Sequence, residues 1–409
     1  MTQALSASER ARGRRLAIAS HPAGMTFYMV FTQQLPTLAL VHLGAGEAAV
    51  GLQTAFIFGF QLLQLPVLRA VGRFRKQRIL VLGQALALLG ALPLVAFPRL
   101  EGEERAVPLA LASFALVAVG LNVSQTAWFP MLRGYVEPDA IGRFFGVLRS
   151  GWHLALILYY VAAQAWLGAH PGAFGPLFLL GWLCGALRIA LVARLPEQGA
   201  ELRERIRLRD AWLLLRHHSD LRRYLAGSIA FRAVFWSVVP FALVMLEREV
   251  GFSHAAILST SVAWYAGGLL TVYAWGRWVD RFGAYPIFRA TALGMGLVIL
   301  ALVAVDAPGT AGRIGAAGIF FALYALASGF GVADTQVLFR LAPPEAPTRL
   351  IVVGQVLSHV GGGLPPIAVG LVLDAALAES ESRLGVYHAF FAVAALLQAL
   401  AFLPLRRFR

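Results

Sequence analysis

The chain has 409 residues, of which 59% are hydrophobic and only 14% are charged, and its formal net charge is +14. Because soluble globular domains carry about 25% charged residues, this composition excludes an ordinary soluble enzyme. Arginine supplies almost all of the positive charge, since Lys76 is the only lysine, and the arginines stand in short loops between apolar runs. That distribution argues against a nucleic-acid-binding protein, which would gather them on one polar face.

The apolar runs are long enough to cross a lipid bilayer. A transmembrane helix needs about 20 mostly apolar residues, and windows of that size predict twelve spans. Their centres lie near Phe31, Phe58, Leu88, Val117, Leu156, Leu183, Val234, Trp264, Leu297, Leu323, Gly361 and Ala395. The predicted division is a cytosolic tail at 1–23, a six-helix bundle at 24–196, a cytosolic linker at 197–222, a second six-helix bundle at 223–405 and a cytosolic terminus at 406–409.

Loop charge predicts the orientation, because loops rich in Lys and Arg stay in the cytosol. The second, fourth, sixth and eighth loops and the C-terminus are rich in arginine, whereas the loops around Glu47 and His170 have neither Lys nor Arg. The third and eleventh loops offset their few arginines with glutamates. We therefore expect both termini in the cytosol and the protein in the cytoplasmic (inner) membrane of a prokaryote. The basic N-terminus leads into a full span without a small-residue cleavage site, which favours a retained tail over a signal peptide.

The sequence lacks the residues for a thiolate metal site and for a nucleotide-binding phosphate loop. Cys184 is the lone cysteine, so neither a disulfide nor a thiolate metal site can form. A G-x-x-x-x-G-K-S/T phosphate loop cannot be built around Lys76, because Arg75 precedes it. We expect no cofactor and no metal, and energy drawn from a gradient or from the solute itself.

The two halves of the chain repeat each other. Residues 137–143 and 343–349 align at an offset of 206, with a proline, an acidic residue and an arginine in matching places. The register continues to His153 and His359, and the second and eighth loops align at an offset of 208. Duplicated six-helix halves, with a solute site between them near the membrane midplane, are typical of one large transporter architecture.

The eighth loop carries a recognisable motif, Gly276-Arg277-Trp278-Val279-Asp280-Arg281-Phe282-Gly283. It resembles the G-x-x-x-D-R-x-G signature of the major facilitator superfamily. The resemblance implies an all-α integral membrane protein whose twelve transmembrane helices form two pseudo-symmetric six-helix bundles, and a transporter rather than an enzyme. The second loop keeps only the basic residues of the motif, among them Arg73.

The same resemblance implies a gating motif made of Gly276, Asp280, Arg281 and Gly283, with Arg73 as its degenerate copy. Asp280 would pair with arginines or cap a helix N-terminus, and so hold one state of the transport cycle. The alternative is that these arginines only fix the orientation. The arginine that drug–proton antiporters usually carry in the fourth helix is absent from residues 120–128.

Ionisable side chains at the centre of a span cost at least about 2.5–3.5 kcal/mol each, so each one is a candidate site residue. His153 shares a helix face with Arg149 and lies roughly 15 Å from the start of its helix. With His359 it forms a pair of candidates for proton coupling. The alternative for each histidine is a neutral ring bonded to a helix carbonyl or to a glutamine.

Two further groups allow opposing interpretations. Arg232, on one face with Trp236, either binds a carboxylate or phosphate, reaches the cytosolic interface or pairs with Asp334. Asp334 is accordingly a proton carrier or a counter-ion. Arg188 is expected to extend to the cytosolic interface, and Asp374 is expected to be hydrated near the outer end of its span.

The remaining candidates are polar or aromatic residues within the predicted spans. The full set of cavity candidates is Gln33, Gln34, Asn122, Gln125, Trp128, Arg149, Arg232, Trp236, Tyr265 and Tyr324. The alternative for the glutamines is a hydrogen bond between helices, worth about 0.6 kcal/mol.

These observations predict a secondary active transporter of a small organic solute, proton-coupled, with efflux slightly ahead of uptake. Arg149 and Arg232 favour an anionic or polar–amphipathic solute. A passive uniporter or an importer of an organic anion is the alternative within this class. A membrane-embedded enzyme would need a catalytic motif such as H-E-x-x-H or G-x-S-x-G, and a non-transporting sensor would need a sizeable extramembrane domain. The expected partners are the solute, the bilayer and protons, with no nucleic acid and a monomeric state.

Overall fold

The computed structural model describes residues 5–71, 74–100, 102–132, 134–136, 141–196, 216–341 and 347–406. Within these ranges all regular structure is helical, as the sequence predicts. The helices are α1 (Ala7–Thr32), α2 (Gln34–His42), α3 (Glu47–Gly59), α4 (Gln64–Val71), α5 (Lys76–Val95), α6 (Ala106–Leu132), α7 (Ile141–Ala169), α8 (Gly175–Val192), α9 (Ser219–Arg248), α10 (His254–Phe282), α11 (Ala284–Leu300), α12 (Thr310–Leu341), α13 (Pro347–Gly363), α14 (Pro365–Glu379) and α15 (Arg383–Leu400).

Eleven helical stretches of the described chain are long and apolar enough to cross a membrane. They correspond to the second to twelfth predicted spans, from Glu47–Leu68 to Arg383–Leu405. The first predicted span, around Phe31, consists of the broken pair α1 and α2 and is not among the eleven. The predicted all-helical membrane fold is confirmed.

Prolines interrupt two of the predicted spans. Pro36 has no N–H to donate to the Thr32 carbonyl, and its ring crowds that oxygen; α1 accordingly ends at Thr32, and Gln33 leaves the helical conformation with φ −115° and ψ −127°. In the eleventh span, Leu364 separates α13 from α14, which begins with Pro365. The chain bends at both points and a new helix starts.

The first helix begins earlier than the sequence analysis predicts. Ser6 caps α1 by accepting a hydrogen bond from the Glu9 backbone N–H (3.2 Å), while the Glu9 carboxylate accepts one from the Ser6 backbone N–H (2.8 Å). The carboxylate also accepts a hydrogen bond from the Ser6 hydroxyl (2.8 Å), and the two bonds it accepts, first that from the backbone N–H, lower the pKa of Glu9. The reciprocal pair is a capping box, whose S-x-x-E signature is visible in the sequence. Most of the predicted tail at 1–23 is therefore helical.

The described residues form two compact units that do not coincide with the predicted halves. Unit 1 lies within residues 1–44, 60–159 and 172–206, and unit 2 lies within residues 45–59, 160–171 and 207–409. Helix α3 and the last turns of α7, both from the predicted first half, thus belong to unit 2. This division decides which polar side chains meet.

Aromatic side chains fill the core of each unit. In unit 1, Phe31 of α1 contacts Phe178 of α8, with ring centroids 5.3 Å apart. In unit 2, Phe231 of α9 stacks on Phe330 of α12 at 3.7 Å. Burying such large apolar side chains holds the helices at fixed positions, and those positions place the buried polar groups.

Candidate functional site

The clearest buried polar cluster of unit 2 surrounds Asp334. Arg232 Nη2 on α9 donates to Asp334 Oδ2 on α12 at 2.7 Å, and the two side chains are 14% and 7% exposed. The other carboxylate oxygen, Oδ1, accepts hydrogen bonds from the Tyr224 hydroxyl at 2.9 Å and the Ser228 hydroxyl at 2.8 Å. Three donors from one face of α9 therefore converge on one carboxylate.

Of the three interpretations of Arg232, the structure shows the pairing with Asp334. The charge of its guanidinium is compensated by Asp334, and its second nitrogen, Nε, donates to the Ser228 hydroxyl at 3.3 Å. Both carboxylate oxygens of Asp334 accept hydrogen bonds in this arrangement. A solute acid group would have to displace Asp334 before it could bind Arg232.

Two other candidates lie close to this cluster in unit 2. Phe58 of α3 contacts the Trp236 ring at 4.7 Å and lies nearly parallel to the His359 ring at 6.5 Å. The indole N–H of Trp236 is buried and has no partner among the described residues. Trp236 and His359 are thus gathered around one phenyl ring.

The two predicted histidines have the same local geometry in both halves of the repeat. His153 Nδ1 lies 2.8 Å from the Arg149 carbonyl, and His359 Nδ1 lies 2.7 Å from the Gln355 carbonyl. In each case the partner is the carbonyl four residues earlier in the helix, which is the alternative interpretation of these residues. Arg149 itself is exposed.

In unit 1 the structure corrects the expectation for Arg188. Far from extending to the interface, this side chain is only 1% exposed. Its guanidinium carbon lies 5.0 Å from the centroid of the Trp128 ring, and His21 stacks parallel to the same indole at 5.7 Å. Helices α1, α6 and α8 therefore gather a cation, an imidazole and an indole in the interior of the unit.

The remaining cavity candidates are dispersed. Gln34 is 2% exposed and neither of its amide atoms has a partner among the described residues. Asn122 is occupied, because it donates to the Ala118 carbonyl (2.9 Å) and accepts from Gln64 (3.1 Å). Tyr265 stacks with Tyr160 and meets Tyr324 edge-on. The rest, Gln33 and Gln125, are partly buried.

A second ionic cluster of unit 2 surrounds the first residue of α3. The Glu47 carboxylate accepts hydrogen bonds from Arg248 of α9 at 3.0 Å and from the Tyr387 hydroxyl of α15 at 2.7 Å. Asp374 of α14 accepts from the backbone N–H groups of Glu47 and Ala48, at 2.8 and 2.9 Å. The expectation that Asp374 is merely hydrated is therefore wrong: it caps α3, whose first N–H groups have no intrahelical acceptor.

Two glycines let α3 and α14 approach closely enough for this cap. A Cβ atom at Gly51 would lie 2.2 Å from the Pro366 carbonyl oxygen, and one at Gly370 would lie 2.5 Å from the Glu47 carbonyl oxygen. Side chains at these positions would push the helices apart. Small residues at contacts between membrane helices commonly serve this purpose.

The motif of the eighth loop forms the end of α10. Gly283, with φ +81°, ends the helix at the last residue of the motif, and Gly276 and Arg281 lie within the final turns. Asp280 is exposed and makes no hydrogen bond or ion pair within the described part of the chain. Arg73 lies outside the described residues, so the gating role of the motif stays a prediction.

Sequence reasoning missed the residues that make the two buried clusters complete. Tyr224 and Ser228 precede Arg232 by two helical turns and one turn, a spacing that puts all three on one face. Asp374 is expected to be hydrated because it lies near the end of a span, and the sequence gives Glu47 no role beyond marking a loop without Lys or Arg. His21 lies within the predicted tail, and no periodicity singled it out.

The comparisons with known proteins agree with this fold. The Major Facilitator Superfamily sequence model matches residues 16–366, and the chain belongs to this superfamily. No match was found among curated protein sequences. Membership of this superfamily makes the chain an integral membrane transporter rather than an enzyme.

Solved structures of transporters resemble the chain over nearly its whole length. A mutant of the nucleoside transporter NupG is 12% identical, with 97% of this chain and 99% of that chain covered and a TM-score of 0.76. A bacterial homologue of the human lysosomal transporter Spinster is 14% identical, with 99% and 98% covered and a TM-score of 0.71. A bacterial homologue of the iron transporter ferroportin is 16% identical, with 98% and 99% covered and a TM-score of 0.62. At these identities the likeness shows the fold alone.

Proposed function

We propose that the protein is a secondary active transporter that moves a small organic solute by alternating access, coupled to protons, with export slightly favoured over import. The observation that carries this proposal is the ionic cluster around Glu47. It joins α3, from the predicted first half of the chain, to α9, α14 and α15 of the second half. On the predicted topology this cluster lies at the outer side of the membrane.

The Glu47–Arg248 ion pair, whose side chains are 4% and 24% exposed, has the energetics that a gate needs. The cost of desolvating the two charges roughly cancels their attraction, so separating Glu47 from Arg248 into water changes the free energy little. A solute can shift the equilibrium between two conformations when their free energies are similar. The close contact of α3 with α14 would then open and close with modest cost.

Proton coupling is proposed on the paired histidines His153 and His359. Asp334 is the less suitable carrier, because Arg232, Tyr224 and Ser228 already donate to it. The second candidate function is passive or inward movement of an organic anion. It is favoured by Arg188, a buried cation without an acidic partner among the described residues.

Transport and coupling can be tested together in liposomes. The purified full chain is reconstituted with the pH dye pyranine inside, and labelled solutes are added with and without an imposed proton gradient. We expect solute flux that responds to the gradient and a matching dye signal, both absent from protein-free liposomes. Solute flux without any dye response would contradict proton coupling and would indicate a uniporter. If solutes that bind the purified protein show no flux, the transport function is refuted.

A further inference from the structure

One charged side chain in the interior of unit 1 has no counter-ion among the described residues. Arg188 is 1% exposed, its guanidinium forms no hydrogen bond or ion pair there, and its Nε is fully buried. Unlike a lysine, an arginine does not lose its proton when buried. A buried charge of this kind is normally paired or hydrogen-bonded.

The amino-acid sequence explains why the partner is missing. Residues 10–46, 48–100, 106–136 and 141–196 contain neither Asp nor Glu. At the repeat offset of 206, Trp128 takes the position of Asp334, the acid that compensates Arg232 in unit 2. Unit 1 therefore has a buried arginine, at a position that the repeat does not match to Arg232, and a tryptophan where unit 2 has the carboxylate.

The surroundings of Arg188 hold the guanidinium in place without neutralising it. One side lies against Trp128, 5.0 Å from the ring centroid. Gly24 of α1 also lies against the guanidinium, because a Cβ atom there would be only 2.0 Å from Nη1. His21, stacked on Trp128, contributes a buried Nδ1 that also has no partner among the described residues.

We propose that Arg188, together with His21 and Trp128, binds the acid group of an organic anion, a carboxylate or a phosphate. An oxyanion accepts two parallel hydrogen bonds from a guanidinium and would supply the negative charge that the surroundings of Arg188 lack. The imidazole N–H of His21 would donate a further hydrogen bond to the same oxyanion. This proposal rests on the proposed transport function only in taking the bound anion to be the transported solute.

The test measures binding to the purified full chain in detergent, where no flux is needed. Thermal unfolding is recorded with benzoate, with its neutral analogue benzamide, with inorganic phosphate and with chloride at equal ionic strength. The variants are Arg188→Gln, Gly24→Ala, which keeps the charge but displaces the guanidinium, and Arg99→Gln, a control at an exposed arginine of the same unit.

Benzoate or phosphate should stabilise the wild type and Arg99→Gln, whereas benzamide and chloride should not. Because charge-assisted hydrogen bonds are lost, Arg188→Gln should bind the anion at least about tenfold more weakly, and Gly24→Ala should also bind it more weakly. An anion shift that persists in Arg188→Gln, or a wild type that responds to chloride as strongly as to benzoate, would overturn the proposal. Binding that is intact without flux in liposomes would instead refute the proposed transport function.

Discussion

Arg188 and Arg232 are the same kind of side chain in two different electrostatic environments. Arg232 lies 2.7 Å from Asp334, whose other oxygen is held by Tyr224 and Ser228. Arg188 faces the Trp128 indole and Gly24. At the position that the repeat matches to Asp334, unit 1 has Trp128 and no acid. Removing the charge should therefore have opposite consequences at the two sites.

Substitution of each arginine by glutamine tests this contrast. Arg232→Gln leaves the Asp334 carboxylate buried without its cation, and breaking a buried pair in this way costs about 3–5 kcal/mol of stability. Arg188→Gln removes an uncompensated charge, so the stability of the anion-free protein should stay the same or rise. Thermal unfolding in detergent measures both, and Arg232→Gln combined with Asp334→Asn should recover most of the loss. Equal losses in the two single variants would contradict the assignment.

The sequence could place these arginines but could not choose their partners. Hydropathy puts Arg232 inside a span, and its pairing with Asp334, 102 residues later, was one of three open interpretations. For Arg188 the prediction was wrong, because its distance from the helix end suggested a reach to the interface. A long side chain can point along its own helix or between two neighbouring helices. Which of these occurs depends on contacts between helices, such as that of Arg188 with Gly24, and the sequence of one helix cannot predict them.

At the scale of helices, the start of α3 is held by side chains from three other helices. Arg248 and Tyr387 bind the Glu47 carboxylate, and Asp374 caps the first N–H groups of the helix. Next to Arg248 in the chain, Glu249 also accepts a hydrogen bond from Arg383 at 2.9 Å. If this cluster is the proposed outer gate, weakening it should expose the face of α3 that it covers.

Cysteine labelling can detect that exposure. In a Cys184→Ser background, Gln53→Cys introduces a thiol on α3 at a position that is 3% exposed. Adding Glu47→Gln removes the anion that binds Arg248 and Tyr387, so a membrane-impermeant maleimide should react with this thiol several times faster. Glu103→Gln, at an exposed loop residue, is the matched control. Unchanged labelling after Glu47→Gln would show that the cluster does not hold this side closed.

Helix boundaries were predictable where a local signal is present. Pro36 and the Pro365–Pro366 pair mark the two breaks, and the capping box at Ser6 and Glu9 marks the start of α1. Capping of α3 by Asp374 could not be foreseen, because the carboxylate is 327 residues away from the N–H group that it binds. Contacts within one helical turn can be predicted from the sequence, but contacts between spans depend on how the spans pack.

For the molecule as a whole, the repeat is the sequence feature from which most of the structure can be predicted. The offset of 206 predicted that His153 and His359 are equivalent, and both rings bond the carbonyl four residues earlier. The repeat did not predict that α3 and the end of α7 belong to unit 2. Equivalent positions share local geometry, whereas the grouping of helices depends on which of them are in contact.

The orientation of the chain is a prediction that labelling of intact cells can decide. The arginine-rich loops should stay in the cytosol because moving their charges across the membrane is unfavourable, which puts Glu103 outside and His217 inside. Both residues are exposed, so single cysteines there, in the Cys184→Ser background, should react at similar rates once the membrane is permeabilised. Before permeabilisation an impermeant maleimide should label Glu103→Cys alone. Labelling of His217→Cys alone would invert the topology and would move the Glu47 cluster, with its proposed gate, to the cytosolic side.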